Sequence, residues 1–348
     1  MKVAYLTGIR RVEVGEAPAP RLGGPDEVLL KIHSVGVCGS DIHYYTQGRI
    51  GSQVVKFPFT VGHECAGTVV ETGTNVSSLR AGQRVAIDPL VACGQCDQCR
   101  AGRRHTCRNQ KFLGIPGQMT GALCEFLSLP AECCYRIPDS MSLAQAVMVE
   151  PFSIGLHAVR LAELAPGSRI GILGVGPIGL CVLIAARATL GCRVYATDLV
   201  DYRLETARRC GAQWTGNPTS QDIVRAIAEL ETLGLDCVFE CAGDQAAFDQ
   251  AVELIKPGGA LSIVSIPEAA RISFSMEHLR RKELRIQNVR RQNQCVTPAI
   301  EMIASGAADV DPLVTHQFPI ARSAEAFELV AAREGGVVKA LISVFPEP

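Results

Sequence analysis

The sequence GVGPIG at Gly174–Gly179 decides the fold, because it follows the apolar run Arg169–Leu173 and opens a helix-length run, Leu180–Leu190. A strand, a G-x-G-x-x-G turn and a helix in this order form the phosphate-binding corner of a dinucleotide-binding βαβ unit. The glycines allow a tight turn and a close approach of the pyrophosphate, whose charge lies at the helix N-terminus. The alternative is a glycine turn that serves only helix–sheet packing.

Asp198 indicates which dinucleotide is bound. It follows the predicted strand Val194–Thr197 and lies 19 positions after Gly179. A carboxylate at that position accepts hydrogen bonds from the adenosine ribose and repels a 2′-phosphate. The sequence therefore predicts a site that prefers NAD to NADP.

The rest of the chain divides into a β-rich part and an alternating part. Gly, Pro and Asp break the first 150 residues into short apolar runs, which favours an irregular β domain. From about Phe152, strands and helix-length segments alternate, as is typical of a parallel sheet. The predicted strands are Glu27–Ile32, Gly67–Glu71, Arg84–Ile87, Arg169–Leu173, Val194–Thr197, Asp236–Glu240 and Ala260–Ser265. The tail after Leu284 contains predicted helices at Thr297–Ser305 and Ser323–Arg333 and a strand at Val337–Val344, and we assign it to the first domain.

Length and composition limit the classes of partner. The 348 residues are 47% hydrophobic, which suits two globular domains with a cleft between them. The 34 basic and 35 acidic residues leave a net charge of −1, so no global field attracts nucleic acid or an anionic membrane. No signal peptide begins the chain and no run approaches about 18 apolar residues, so we expect a cytoplasmic protein with neither a membrane nor a nucleic acid partner.

Four of the 15 cysteines predict a structural zinc site. Cys93, Cys96, Cys99 and Cys107 have the spacing C-x2-C-x2-C-x7-C, and four thiolates can surround a tetrahedral zinc with no open position. An iron–sulfur cluster is the alternative, but the nicotinamide fingerprint gives electron transfer no obvious role. Four unligated core cysteines are disfavoured because the stretch is polar.

A second, scattered set comprises Cys38, His63, Glu64 and Glu150. One soft and two harder ligands suit a catalytic zinc that keeps one position for water or substrate. Ionised Cys38 and Glu64 cancel the two charges of the metal, so another anionic ligand would make the site negative. We therefore interpret Glu150 as a ligand, or as the partner of a water molecule, that withdraws when substrate arrives. Taken singly, Cys38 could be ordinary core and Glu150 could simply pair with an arginine.

Gly62–Gly67, which reads GHECAG and is followed by Gly73, resembles the G-H-E-x2-G-x5-G signature of medium-chain zinc alcohol dehydrogenases. The resemblance covers essentially the whole chain. Four segments are similar to the sorbitol (polyol) dehydrogenase branch: Val37–Tyr44, Gly48–Gly51, Val149–Pro151 and Val314–His316.

The resemblance implies an α/β fold in which a Rossmann domain, a doubly wound parallel sheet, is inserted into a partly open, chaperonin-10-like β-barrel catalytic domain. The expected bounds are 1–151 for the catalytic domain with a structural zinc lobe at 88–110, 152–284 for the NAD-binding domain, and 285–348 for the return to the catalytic domain. It also implies a homotetramer with two zinc ions and one NAD site per chain.

The resemblance assigns roles position by position. Cys38, His63 and Glu64 become the catalytic zinc ligands, with Glu150 as the further carboxylate. The substrate proton leaves through Ser40 and His43, or through water held by Glu150, while hydride passes to the nicotinamide. Asp41 orients His63, as carboxylates commonly do behind metal-bound imidazoles. Tyr44 and Phe112 line the substrate pocket. The alternatives are a surface role for His43 and a core role for Phe112. The residues expected to contact the dinucleotide are Gly174, Gly176, Pro177, Ile178, Gly179, Asp198 and Arg203.

The sequence departs from the sorbitol dehydrogenase branch in two places, and both departures bear on which substrate the protein binds. All four structural cysteines are present, as in bacterial polyol and threonine dehydrogenases, whereas mammalian-type sorbitol dehydrogenases lack the full set. Where the branch has an aromatic–Arg–Tyr run, this chain has Arg290, Arg291 and Gln292. Arg291 keeps the expected arginine, and Arg290 adds a guanidinium suited to a carboxylate or phosphate unless it faces outward at a subunit contact.

The sequence thus predicts NAD-linked, zinc-dependent oxidation of a secondary alcohol on a small polyhydroxylated substrate such as sorbitol, xylitol or galactitol, giving a ketose. The alternatives are an L-threonine 3-dehydrogenase and a dehydrogenase of an aldonate or a sugar-alcohol phosphate. A catalytically silent NAD-binding protein is a further alternative, but it would have lost a ligand or the relay, and all these residues are present.

The first prediction concerns cofactor preference. Steady-state kinetics should give a higher kcat/KM with NAD than with NADP, because Asp198 repels the additional phosphate. Asp198→Ala should reduce the difference between the kcat/KM values for NAD and NADP. Equal kcat/KM for both dinucleotides in the unmodified enzyme would contradict this role.

Overall fold

The computed structural model describes residues 1–345, which form two compact units. One unit comprises Met1–Glu150, Val296–Ala304 and the chain from Val314 onward. The other comprises Pro151–Cys295 and Ser305–Leu313. The α/β fold class is confirmed, because the first unit is built on a mixed sheet and the second on a parallel one.

The N-terminal part of the first unit consists mainly of short strands. Its strands are β1 Lys2–Gly8, β2 Arg11–Glu16, β3 Glu27–Gly36, β4 Arg49–Ile50, β5 Gln53–Val54, β6 Glu64–Thr72, β7 Arg84–Ile87, β8 Leu90–Val91, β9 Lys111–Phe112, β10 Phe126–Pro130 and β11 Cys134–Arg136. Its helices are α1 Gly39–Gln47, α2 Asp97–Arg100 and α3 Leu143–Leu161, the last of which continues into the second unit.

A parallel sheet and its helices form the second unit. The strands are β12 Arg169–Leu173, β13 Arg193–Thr197, β14 Trp214–Gly216, β15 Leu235–Glu240, β16 Ile255–Ile263 and β17 Arg285–Asn288. The helices are α4 Pro177–Leu190, α5 Asp201–Arg209, α6 Ile223–Leu230, α7 Gln245–Leu254 and α8 Met276–Lys282. The remaining elements are α9 Val296–Ala304, β18 Val314–Pro319, α10 Ser323–Ala332 and β19 Lys339–Ser343. Short 3-10 turns lie at Arg104–Thr106, Ala131–Cys133, Asp311–Leu313 and Ile320–Arg322.

The seven-stranded sheet of the first unit brings together distant parts of the chain. Its order is β11-β7-β6-β3-β19-β18, with β10 also paired to β3. The central strand β3 buries Val28, Leu30 and Ile32 completely, which follows from its alternation of apolar residues. On either side of it, Gly36 pairs with Glu64 of β6 and with Leu341 of β19. The register of β3 therefore places the C-terminal strand close to the start of β6.

The second unit has the strand order β14-β13-β12-β15-β16-β17, and all its pairs are parallel. This is the order 3-2-1-4-5-6 of a doubly wound dinucleotide-binding sheet. β12 precedes the glycine turn as the sequence predicted, and α4 begins at Pro177, inside the motif and three residues before the predicted start at Leu180. β17 follows the predicted boundary at residue 284 and was not expected as a strand, because all four of its residues are exposed and no apolar alternation marks it.

None of the helices within residues 1–345 is both long enough and apolar enough to span a membrane.

Two glycines of the turn have different structural duties. A Cβ on Gly179 would overlap the carbonyl oxygen of Gly174, so this glycine lets α4 lie close to the end of β12. A Cβ on Gly176 would meet only a guanidinium nitrogen of Arg203, at 3.6 Å, which is ordinary contact. The φ of Gly176 is −66°, a value open to any residue.

We therefore expect Gly179→Ala to lower the free energy of unfolding by about 1–3 kcal/mol, the usual cost of overpacking. Gly176→Ala should leave stability unchanged but weaken NAD binding, because its methyl group lies where the pyrophosphate must approach. Denaturant titration and a fluorescence titration with NADH measure the two effects. Equal losses of stability in both variants would contradict the distinction.

Candidate active site and metal centres

Three potential metal ligands converge in the first unit. The Sγ of Cys38, a ring nitrogen of His63 and a carboxylate oxygen of Glu64 lie within 4.8 Å of one another. Cys38 is the N-cap of α1, while His63 and Glu64 stand at the start of β6. His63 and Glu64 are buried and Cys38 is partly exposed, so the cluster opens on the side of the thiol. One sulfur, one imidazole and one carboxylate fit a zinc ion that keeps a further position open.

Asp41 connects the two segments that carry these ligands. Its Oδ2 accepts a hydrogen bond from the backbone N–H of Cys38 at 3.0 Å, and its Oδ1 accepts one from the N–H of Gly62 at 3.2 Å. The same Oδ1 lies 3.6 Å from Nδ1 of His63. This geometry supports the orienting role that the resemblance implies for Asp41.

The charge of Asp41 also affects the protonation of His63. Burial lowers the pKa of His63, but the neighbouring Asp41 and Cys38 raise it more, so that the pKa lies well above its ordinary value. A metal ion needs the neutral ring, and its binding therefore releases this proton.

Glu64 has a partner that the sequence reasoning missed. The ammonium of Lys339 lies 2.7 Å from Oε1 and 2.5 Å from Oε2 of Glu64, and it donates to the carbonyl of Val37 at 3.2 Å. Both side chains of the ion pair are 1% exposed. The only signal in the sequence is a lysine inside the otherwise apolar final strand, VVKALI at Val337–Ile342.

Glu150 is buried near the cluster but does not belong to the group of atoms within 4.8 Å. Burial raises the pKa of Glu150 to about 8, with His63 lowering and Glu64 raising it. Glu150 thus lies within electrostatic range of two ligands. The charge count that assigned Glu150 from the sequence omitted Lys339, whose positive charge changes the balance of the site.

Helix α1 carries most of the residues predicted for proton transfer and substrate binding. Ser40 and His43 are half-buried on this helix. Tyr44 is buried and its hydroxyl donates to Oε1 of Gln53 at 3.0 Å. Phe112 is buried with its ring centroid 5.5 Å from that of His63. The first unit therefore contains all four residues together with the three ligands.

Arg290 and Arg291 belong to the second unit. Arg290 is exposed, and Arg291 is half-buried with a φ of 53°. Gln292, which replaces the tyrosine of the branch, is buried, and its Oε1 accepts a hydrogen bond from the N–H of Cys295 at 2.9 Å. Gln292 therefore stabilises the conformation of the loop between Gln292 and Cys295.

The four cysteines of the zinc lobe lie together as their spacing predicts. The Sγ of Cys96 is 3.6 Å from that of Cys99 and 3.9 Å from that of Cys107. Tetrahedral zinc with bonds of about 2.3 Å separates its sulfurs by about 3.8 Å, so the group fits this ion. Backbone N–H groups of Arg108 and Cys99 lower the pKa of the Cys96 thiol to about 6, whereas burial and the neighbouring thiols raise the pKa of Cys99 to about 12. The Cys96 shift favours the thiolate that zinc requires.

In the second unit, Asp198 fixes the glycine turn. Its Oδ2 accepts from the N–H of Val175 at 2.8 Å and its Oδ1 from the N–H of Val200 at 3.0 Å. A guanidinium nitrogen of Arg203 lies 3.9 Å from Oδ2. Sequence reasoning gave Asp198 the ribose alone, but the carboxylate also joins the turn to the end of β13.

Comparison with known proteins gives the family. Residues 24–139 match the model of the alcohol dehydrogenase GroES-like domain, and residues 177–305 match that of the zinc-binding dehydrogenases. The chain is 37% identical to the sorbitol dehydrogenase of Bacillus subtilis (strain 168), over 98% of this chain and 97% of the relative. It is 34% identical to the L-idonate 5-dehydrogenase of Vitis vinifera, over 98% and 94%. A zinc-binding dehydrogenase of Sinorhizobium meliloti 1021, solved with bound NADP, superposes with a TM-score of 0.90 at 30% identity, over 98% of each chain.

The chain therefore belongs to the medium-chain zinc-binding dehydrogenases. It is an oxidoreductase of CH–OH groups that uses zinc and a nicotinamide dinucleotide.

We expect two zinc ions per chain that differ in exchange, because one group of ligands is open and the other closed. Mild chelation should remove one zinc and abolish activity while leaving the second zinc and the fold, as elemental analysis and circular dichroism would show. Cys38→Ser should lose the exchangeable ion, and Cys99→Ser should lower thermal stability. Cys210→Ser, outside both groups, is the control. At most one zinc per chain in folded, active enzyme would contradict the two-site account.

Proposed function

We propose that the protein oxidises a secondary alcohol of a polyol to a ketose and transfers the hydride to NAD. The observation that carries this proposal is the open group of Cys38, His63 and Glu64 beside a buried further carboxylate, Glu150. Its similarity to a sorbitol dehydrogenase over nearly the full length supports a polyol as the substrate class.

In this proposal, Cys38, His63 and Glu64 hold the catalytic zinc, and Cys93, Cys96, Cys99 and Cys107 hold the structural one. When bound, zinc would polarise the substrate hydroxyl, and NAD would serve as the acceptor of the hydride. Asp41 keeps the ligand segments in place through its two backbone hydrogen bonds. The dinucleotide binds along Gly174–Gly179, with Asp198 and Arg203 beside the adenosine.

The chain itself handles the proton. Ser40 receives it from the substrate hydroxyl, and His43 passes it outward from the next turn of α1. Glu150 offers a second route, because a carboxylate with a pKa of about 8 can accept a proton near neutral pH through an intervening water. Ser40→Ala should therefore lower kcat more than it raises KM.

Tyr44 and Phe112 are proposed to line the substrate pocket. A pocket that contains buried polar groups suits a substrate with several hydroxyl groups. Each buried polar group left without a hydrogen bond would cost about 1–3 kcal/mol. Arg290 is exposed, which favours a neutral polyol over an anionic one. The similarity to an L-idonate 5-dehydrogenase favours an acidic polyol as the second candidate, with Arg290 or Arg291 as the partner of the carboxylate.

The test is kcat/KM for sorbitol, xylitol and galactitol, an aldonate, a sugar-alcohol phosphate and L-threonine. We expect the highest values with a neutral polyol. We also expect Arg290→Ala to affect every substrate equally, as should the control Arg225→Ala at another exposed arginine. A selective loss of about tenfold or more on an anionic substrate would move the assignment to that substrate. Turnover of threonine alone would overturn the proposal.

We also infer a homotetramer in the cytoplasm. Strand β17 ends its sheet with all four residues exposed, including Ile286 at 40%, and such an edge is suited to pairing with a second copy. None of the 15 cysteines, which all lie within residues 1–345, forms a disulfide, as is usual in a reducing compartment. A single chain per particle in light scattering would contradict the oligomer.

A further inference from the structure

We propose that Lys339 is a positioning residue that sets the charge of the metal site: its ammonium shares the carboxylate of Glu64, which weakens zinc binding and leaves the metal more positive. This inference rests on the proposed function, because Glu64 must be a zinc ligand. It assigns a role to Lys339, a buried cation that contacts the ligand Glu64.

The ammonium of Lys339 contacts both Glu64 and the backbone beside Cys38. It contacts both oxygens of Glu64, at 2.7 and 2.5 Å, and the carbonyl of Val37 at 3.2 Å. Because Val37 precedes Cys38, Lys339 fixes one ligand and the backbone beside another.

The arrangement follows from the register of three adjacent strands. Gly36 of β3 pairs with Glu64 of β6 on one side and with Leu341 of β19 on the other. A Cβ on Gly36 would overlap Oε2 of Glu64, so the glycine leaves the space in which this carboxylate lies. The ion pair is thus fixed by the sheet itself and does not depend on a mobile surface chain.

The charge count shows what the pair does. Zinc with ionised Cys38 and Glu64 is neutral, the buried carboxylate of Asp41 beside His63 adds one negative charge, and Lys339 offsets that charge. Without Lys339 the buried group would carry a net negative charge. Lys339 therefore leaves the bound metal better able to polarise a hydroxyl.

The effect of the Lys339 charge on zinc binding is large enough to measure. A unit charge at about 5 Å, in a medium of effective dielectric constant about 20, changes an equilibrium constant by more than about a hundredfold. Relaxation of the site reduces this effect, so we expect a change of at least about tenfold.

The direction in which the rate of zinc release changes distinguishes this electrostatic role of Lys339 from a purely structural one. If Lys339 only holds Glu64 in place, its removal loosens a ligand and zinc leaves faster. If Lys339 sets the charge, its removal gives the full charge of Glu64 to the metal, and zinc leaves more slowly while kcat falls.

The experiment compares zinc release from the full-length holoenzyme and from Lys339→Met, with excess chromophoric chelator. We expect release of the exchangeable zinc to slow by about tenfold or more and kcat to fall by a similar factor. Release from the four-cysteine site should not change, which provides an internal control. Lys339→Arg, which keeps the charge, should release zinc at nearly the rate of the unmodified enzyme.

Lys282→Met is a matched control. The ammonium of Lys282 donates to the carbonyls of Val252, Glu253 and Ile255 at 2.8–2.9 Å, so its loss removes a hydrogen-bonded lysine without touching the ligands. Zinc release should be unaffected in this variant even if thermal stability falls.

Faster release from Lys339→Met, with the four-cysteine zinc retained, would overturn the proposal. Loss of the fold and of both ions in Lys339→Met and in Lys339→Gln would overturn it as well, because the pair would then serve folding. The release assay needs no substrate, so its outcome is independent of whether polyols are turned over.

Discussion

Two buried carboxylates, Asp41 and Glu64, organise the proposed metal centre, because a charge inside a protein must be paired or hydrogen-bonded. Asp41 is satisfied by two backbone N–H groups and faces His63. Glu64 is satisfied by Lys339. Each carboxylate thereby joins segments that are distant in sequence, and the ligands converge as a consequence of this pairing.

A third carboxylate, Asp198, connects two segments of the second unit in a similar way. It accepts hydrogen bonds from Val175 and Val200, so the glycine turn and the loop after β13 are held together before any ligand arrives. Because the turn is already ordered, binding of the dinucleotide has less conformational entropy to remove. It also means that Asp198→Ala changes the shape of the turn as well as its charge, so cofactor preference and overall affinity must be measured separately.

The features that the sequence revealed are local ones. The turn at Gly174–Gly179, the strand before it and the spacing of Cys93 to Cys107 each lie within a short window, and the structure shows them as expected. The family resemblance supplied the scattered ligands, which no periodicity would have joined. The fold class, the family and the cofactors are confirmed by the comparisons.

Lys339 and β17 were missed for physical reasons. The lysine lies 275 positions from Glu64 and meets it only through the register of β6, β3 and β19, which a single sequence does not encode in any visible pattern. β17 has no buried face, so it lacks the alternation that identifies strands. The charge count made from the sequence therefore lacked the positive charge that Lys339 places beside Glu64.

The central claim is that Cys38, His63 and Glu64 form a metal site separate from the four cysteines. Anomalous diffraction from crystals of the zinc-loaded enzyme, recorded on both sides of the zinc edge, tests it most directly. The account predicts two peaks per chain, one among the sulfurs of Cys93, Cys96, Cys99 and Cys107 and one bounded by Cys38, His63 and Glu64. A single peak at the four cysteines, in crystals of enzyme that is active when dissolved, would contradict it.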